Sequence, residues 1–205
     1  MAMLLTARSF VPCLLAAVLA LGCAGDPPPK AAAKQSAAPT SSVERYMPLK
    51  DDTVYAYRTE EEDNGEQGVL MLHVTRKATG LVELDVGGKV QRLEILKTGI
   101  RNLDGGFLLK APLVMGATWP GTGGQVHITA VDKEMKVPAG TFVGCIETVE
   151  EQNVPNGHKR VTTDYCPDVG IVKLEVQAQV GAQYALERAV LRSFGKRIDI
   201  GATPN

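Results

Sequence analysis

The strongest constraint on this chain is an alternation. In "TGLVELDVGGKVQRLEIL", Val82, Leu84 and Val86 alternate with Leu81, Glu83 and Asp85. Successive side chains of a strand point to opposite faces, so an apolar period of two marks a half-buried strand. Gly87-Gly88 then supplies the positive φ values of a two-residue hairpin turn. Leu93 and Ile95 resume the alternation on the return strand. "GVLMLHV" places Leu70, Leu72 and Val74 on one side. "GIVKLEVQA" places Val172, Leu174, Val176 and Ala178 against Lys173, Glu175 and Gln177. Turn signals recur at Asp63-Asn64-Gly65, Asp104-Gly105-Gly106, Gly121 to Gly124 and Asn156-Gly157. Strands at this spacing without intervening helices predict an all-β fold, an antiparallel meander forming a curled sheet or open barrel. "AQYALERAVLRSF" fits a helical face through Leu186, Ala189, Val190 and Phe194. It also fits a strand face through Tyr184, Leu186, Val190 and Phe194 that Arg188 and Arg192 interrupt. The β context favours a final strand. Trp119, after a Gly-Ala-Thr turn, is expected to plug one barrel end.

The N-terminus obeys other rules. Arg8 precedes an apolar run, Val11 to Leu21, that is too short to span ~30 Å of hydrocarbon as a helix. A positive start, a short apolar stretch and small residues describe a secretory signal. Gly22-Cys23 resembles the bacterial lipobox, with Ala20 where that pattern usually has Leu. The resemblance implies cleavage before Cys23 and lipidation of that cysteine. Ala24 is not the Asp that often retains such proteins in the inner membrane, so it also implies an outer-membrane lipoprotein facing the periplasm. The alternative is an ordinary secreted protein cut elsewhere. Ala24 to Ser42, rich in Pro, Ala and Ser, has no large apolar residue and too little to bury to offset its ordering entropy. The expected organisation is a signal peptide over 1–22, a lipidated, disordered tether over 23–44, one β domain over 45–197 and a tail over 198–205.

Charge sets limits on partners. The 205 residues carry 22 basic and 23 acidic side chains, and no basic patch points to nucleic acid. No cofactor motif is legible. Cys13 leaves with the signal and Cys23 with the lipid, so Cys145 and Cys166 remain as a pair for an oxidising compartment. They flank one hairpin, roughly Thr141 to Gln152 and His158 to Cys166 around "NVPNG". Opposed residues of an antiparallel hairpin share a constant sum. Here 145 + 166 = 311, which centres between Pro155 and Asn156, inside the loop. Cα atoms of opposed residues stand about 4.5–5.5 Å apart, within the reach of a disulfide. A bulge at Gly144 would turn one thiol to the wrong face and leave two free thiols instead.

"VPAGTFVGCIETVEEQ" (Val137 to Gln152), "DYCPDVGIVKLE" (Asp164 to Glu175) and "YMPLKDDTVYAYR" (Tyr46 to Arg58) together resemble an uncharacterised group of secreted bacterial β-rich proteins and lipoproteins, called TapB-like. Cys166 and Asp168 stand where that group generally has Ala and Gly. The resemblance implies a fold and no reaction. The residues themselves read structurally: Pro138 suits a strand edge, Gly140 a tight turn or bulge and Phe142 the core.

Familiar catalytic patterns are absent. Ser42 and Ser193 sit in no nucleophile-elbow pattern. His73, His127 and His158 have no metal-ligand spacing among them. "EEEDNGEQ" lacks the ligand spacing of an EF-hand and reads as a solvated hairpin tip. Gly116, Gly121, Gly123 and Gly124 precede no Gly-Lys-Ser/Thr of a phosphate loop. Three functions are compatible with these features. The first is a non-enzymatic binding module for an apolar envelope ligand or partner, and an apolar groove favours it. The second is an assembly subunit of an outer-membrane complex, favoured by an open sheet edge. The third is a cell-wall glycan hydrolase, which needs two carboxylates across a polar cleft.

Overall fold

The computed structural model describes residues 42–62 and 65–197. Cys23, the segments 1–22 and 23–41, and the tail 198–205 lie outside the described residues. Twelve strands build the described domain: β1 (Thr53–Glu61), β2 (Gln67–Ala78), β3 (Leu81–Val86), β4 (Lys89–Leu96), β5 (Gly99–Asn102), β6 (Phe107–Lys110), β7 (Thr118–Pro120), β8 (Gln125–Val137), β9 (Gly140–Val154), β10 (Gly157–Cys166), β11 (Gly170–Val180) and β12 (Gln183–Lys196). The ambiguous final segment is thus a strand. Its cross-strand partners on β11 and β1 supply the backbone pairing that settles the choice.

All strand pairs are antiparallel, and the order across the sheet is β6-β5-β4-β3-β2-β1-β12-β11-β10-β9-β8-β7. The first and last strands pair directly, from Thr53↔Lys196 to Glu61↔Glu187. The two sheet edges, β6 and β7, are consecutive in sequence. The meander therefore curls nearly into a closed barrel, with one unpaired seam. The β3–β4 turn is the expected Gly87-Gly88, with φ of 58° and 88°.

Side chains bridge the seam where backbone pairing stops. Trp119, 2 % exposed, donates its Nε1–H to the Phe107 carbonyl at 3.1 Å. Tyr165 donates its hydroxyl to the Leu108 carbonyl at 3.3 Å. Trp119 thus belongs to the seam. The loops flanking β6 and β7 also meet. A Cβ on Gly106 would lie 1.9 Å from the Gly121 carbonyl oxygen, so only glycine allows that approach.

One end of the barrel is plugged. A five-residue helix, α1 (Ser42–Tyr46), precedes β1. Val43, Met47 and Leu49 are buried among the core residues. Val43, within the segment read from the sequence as tether, supplies part of the core. The Tyr46 hydroxyl donates to the Gly144 carbonyl (2.8 Å), and the Asp168 amide donates to the Arg45 carbonyl (2.6 Å). Asp168 adopts a φ of 65°, as a glycine-like turn position demands.

The β8–β9 hairpin adds a second cover. Register shifts at Ile128/Ala130, Ala130/Lys133 and Lys133/Met135 mark bulges, which bend strands. The hairpin tip reaches β12, where the Ala139 amide donates to the Leu191 carbonyl (3.1 Å) and Phe142 meets Phe194.

Candidate functional site

The alternation that builds the wall also lines its interior. Tyr57 and Leu70 oppose each other across β1 and β2, as do Tyr55 and Leu72. With Leu84 and Val86 of β3, and Leu174 and Val176 of β11, Tyr57, Leu70 and Leu72 form an apolar wall around a cavity of about 320 Å³. Met47 and Tyr57 reach its floor, and the Tyr57 hydroxyl donates to the Ile171 carbonyl at 2.9 Å. Burial raises the phenol pKa values of Tyr55, Tyr57 and Tyr165, so these buried phenols stay neutral. A cavity of this size lies at the lower end of the ~300–1,000 Å³ usual for small-molecule sites.

The opposite wall is polar. On β9, Thr148, Glu150 and Gln152 face inward. On β10, Lys159, Val161, Thr163 and Tyr165 do so, with Lys159 opposite Gln152. Gln91 of β4 and Thr122 of the β7–β8 loop complete the polar lining. Glu150 accepts the Gly123 and Gly124 amide protons at 2.6 and 2.8 Å. A Cβ on Gly124 would lie 1.8 Å from the Glu151 carbonyl oxygen, so the glycine-rich stretch packs the loop against β9. Those glycines serve a carboxylate of the chain itself.

A second void of about 310 Å³ shares Leu70, Leu174, Val176 and Ala189 with the first. Glu60, Glu61, Glu66 and Glu187 also line it, forming an acidic vestibule over the β1–β2 turn and β12.

The predicted disulfide is present. Cys145 and Cys166 are bonded, with Cα atoms 4.2 Å apart. The β9–β10 ladder keeps the sum of 311 from Gly157↔Val154 to Tyr165↔Ile146. A bulge near Gly144 exists, but it interrupts the ladder to β8 and leaves the register to β10 intact. The turn is tighter than the expected loop: Pro155 and Asn156, the latter at a φ of 58°, join the strands.

Beside the disulfide lies an ionic cluster that the sequence reading missed. Lys133 Nζ donates to Glu147 Oε2 and to Asp164 Oδ1, each at 2.6 Å, and Thr129 donates to Glu147 Oε1 at 2.6 Å. Asp164 alternates with the inward Thr163 and Tyr165, and Glu147 with Thr148. Neither carboxylate lines the cavity. The Asp164 side chain is 1 % exposed. Burial raises its pKa and outweighs the nearby Lys133 ammonium. Burial also acts to raise Glu147, but there Lys133 and Thr129 prevail and hold it below its ordinary value. Burial disfavours the charged Lys133, yet its two carboxylates raise its pKa. The bulges of β8 bring Lys133 into this position, and no spacing in the sequence announces that. Of the histidines, His73 Nε2 lies 3.4 Å from Asp52 Oδ1.

No family model matches this chain, and no curated protein matches it. The resemblance to the TapB-like group therefore rests on the residues alone. Two solved structures are similar in fold. One is a protein inferred to be exported, with a YmcC-like fold, from Bacteroides fragilis. It shares 12 % identity at a TM-score of 0.47, over 72 % of this chain and 97 % of that one. The other is an inferred lipoprotein from Parabacteroides distasonis, with 12 % identity and a TM-score of 0.46, over 72 % and 96 % of the two chains.

Proposed function

We propose that this chain is a lipid-anchored envelope protein of the TapB-like kind, whose barrel binds a small apolar ligand and performs no chemistry on it. One observation carries the reading: the apolar-walled cavity of about 320 Å³, which shares Leu70, Leu174, Val176 and Ala189 with the neighbouring vestibule. An apolar pocket with a few convergent polar groups is the usual form of a small-molecule site. Cys23, outside the described residues, is the expected anchor. Ala24 after it favours the outer membrane, with the barrel in the periplasm. The Cys145–Cys166 bond fits an oxidising compartment.

Two observations weigh against the other functions. The open edges an assembly subunit would offer are β6 and β7, and Trp119 and Tyr165 already occupy two carbonyls of β6. Glu150 is the single carboxylate among the described residues lining the larger void, and two backbone amides hold it. A glycan hydrolase acting within that void needs a facing pair there.

The purified domain should enhance the fluorescence of an environment-sensitive apolar dye. Val176→Trp, which adds bulk at a residue lining both voids, should abolish that signal while leaving far-UV circular dichroism unchanged. In cells, Cys23→Ser should move the protein from the membrane fraction to the soluble fraction. A dye signal that survives Val176→Trp sinks the cavity reading, and unchanged fractionation sinks the anchor.

A further inference from the structure

Among the described residues lining the larger void, Lys159 is the single cation. It makes no ion pair with another described residue. It stands on β10 opposite Gln152 of β9 and Ala178 of β11. The nearest inward carboxylate, Glu150, opposes Val161 and takes its hydrogen bonds from the Gly123 and Gly124 amides. The vestibule acids stand on β1, β12 and the β1–β2 turn, with β11 between β12 and Lys159. A half-buried ammonium against an apolar wall has lost part of its hydration, and a counter-charge on a bound molecule would restore it.

Resting on the cavity reading above, we propose that the ligand is a single-chain amphiphile with an anionic head. Its head oxygens accept hydrogen bonds from Lys159 and the Gln152 amide, and its tail runs between Leu84 and Leu174. The volume of about 320 Å³ favours one acyl chain over two. A carboxylate and a phosphate monoester both supply this head chemistry.

The test is displacement of the apolar dye by four probes of one chain length: dodecanoate, dodecyl phosphate, dodecanol and dodecylamine, each below its micellar concentration. Against the wild-type domain, at least one anionic probe should displace dye at about one-tenth the concentration dodecanol needs, the scale of a charged hydrogen bond. Which anion is stronger identifies the head. Lys159→Gln should erase that advantage and leave dodecanol unchanged, whereas Lys159→Arg should keep it. Equal potency of anions and alcohol, a preference for the amine, or an anion preference surviving Lys159→Gln would overturn the proposal and leave the cavity reading standing. No displacement by any probe, with dye bound outside the reach of Val176→Trp, would overturn both.

Discussion

The two ends of the barrel are built by the same strands and filled differently. At the plugged end β1 turns Tyr55 and Tyr57 inward, both buried, and Val43, Met47 and Leu49 complete the packing. Two residues further along β1 the inward position is Thr59, and on β2 Gly68 opposes it. There Gln152 and Lys159 take the inward places on β9 and β10. Strand alternation chooses a face but fills no volume. Pieces outside the regular wall, α1 and the tip of the β8–β9 hairpin, fill one end. No described segment does the same at the other, where the larger void and the vestibule lie.

The contrast can be broken by removing the plug. A domain starting at Pro48 lacks the buried Val43 and Met47. Two fully buried side chains at ~1.5–3 kcal/mol each amount to about 4 kcal/mol of stability lost, relative to a domain starting at Ser42. Urea unfolding measures it. At the open end Gln152→Ala should change stability by less than about 0.5 kcal/mol. Comparable losses from both changes would show that the ends do not differ as described.

The disulfide sharpens the same comparison, because Cys145 and Cys166 are fully buried. Their separation of 21 residues predicts that the double variant Cys145→Ser/Cys166→Ser loses roughly 3 kcal/mol. Thiol counting on denatured, unreduced protein should find neither thiol free. Two free thiols per chain from periplasmic protein would refute the pairing.

The smallest effect lies in the ionic cluster and is read from pH. Asp164 is raised above its ordinary 3.8, so the folded state holds its proton more tightly than the unfolded chain does. Its ionisation weakens the fold at neutral pH, and that loss is relieved as pH falls through the raised value towards 3.8. Glu147 has the opposite sign. Held below its ordinary 4.5, it contributes stability above 4.5 that is lost as pH falls through its lowered value. Asp164→Asn removes only the first effect. The wild type should therefore gain stability relative to Asp164→Asn between about pH 7 and about pH 4. Paired urea midpoints check this, and a gap moving the other way would show that Asp164 is not held against its ionisation.

Much of the wall was legible because its signals are local. Val82, Leu84 and Leu93 are buried and Val69 and Met71 exposed, as period two requires. Gly87-Gly88 closes its hairpin, and the cysteine sum of 311 survives into the ladder. The cavity was harder to read. Glu147, Glu150, Glu151 and Gln152 put polar groups on both faces of β9, so alternation could not say which face was inside. Glycines 121, 123 and 124 were set aside as no phosphate loop, yet they are what lets the β7–β8 loop lie against Glu150, Glu151 and Gln152.

The sequence by itself determined the strand class, the tight turns and the hairpin register that joins Cys145 to Cys166. Each depends on residues close together in the chain or on a hairpin that counts its own register. Tertiary structure alone decided that β1 pairs with β12, that Trp119 bridges the seam, that Val43 and Met47 plug one end, and that Lys133 reaches Asp164. Those contacts join segments whose patterns are individually satisfied by many partners. Closure of the sheet, which leaves a single unpaired seam between β6 and β7, selects among them.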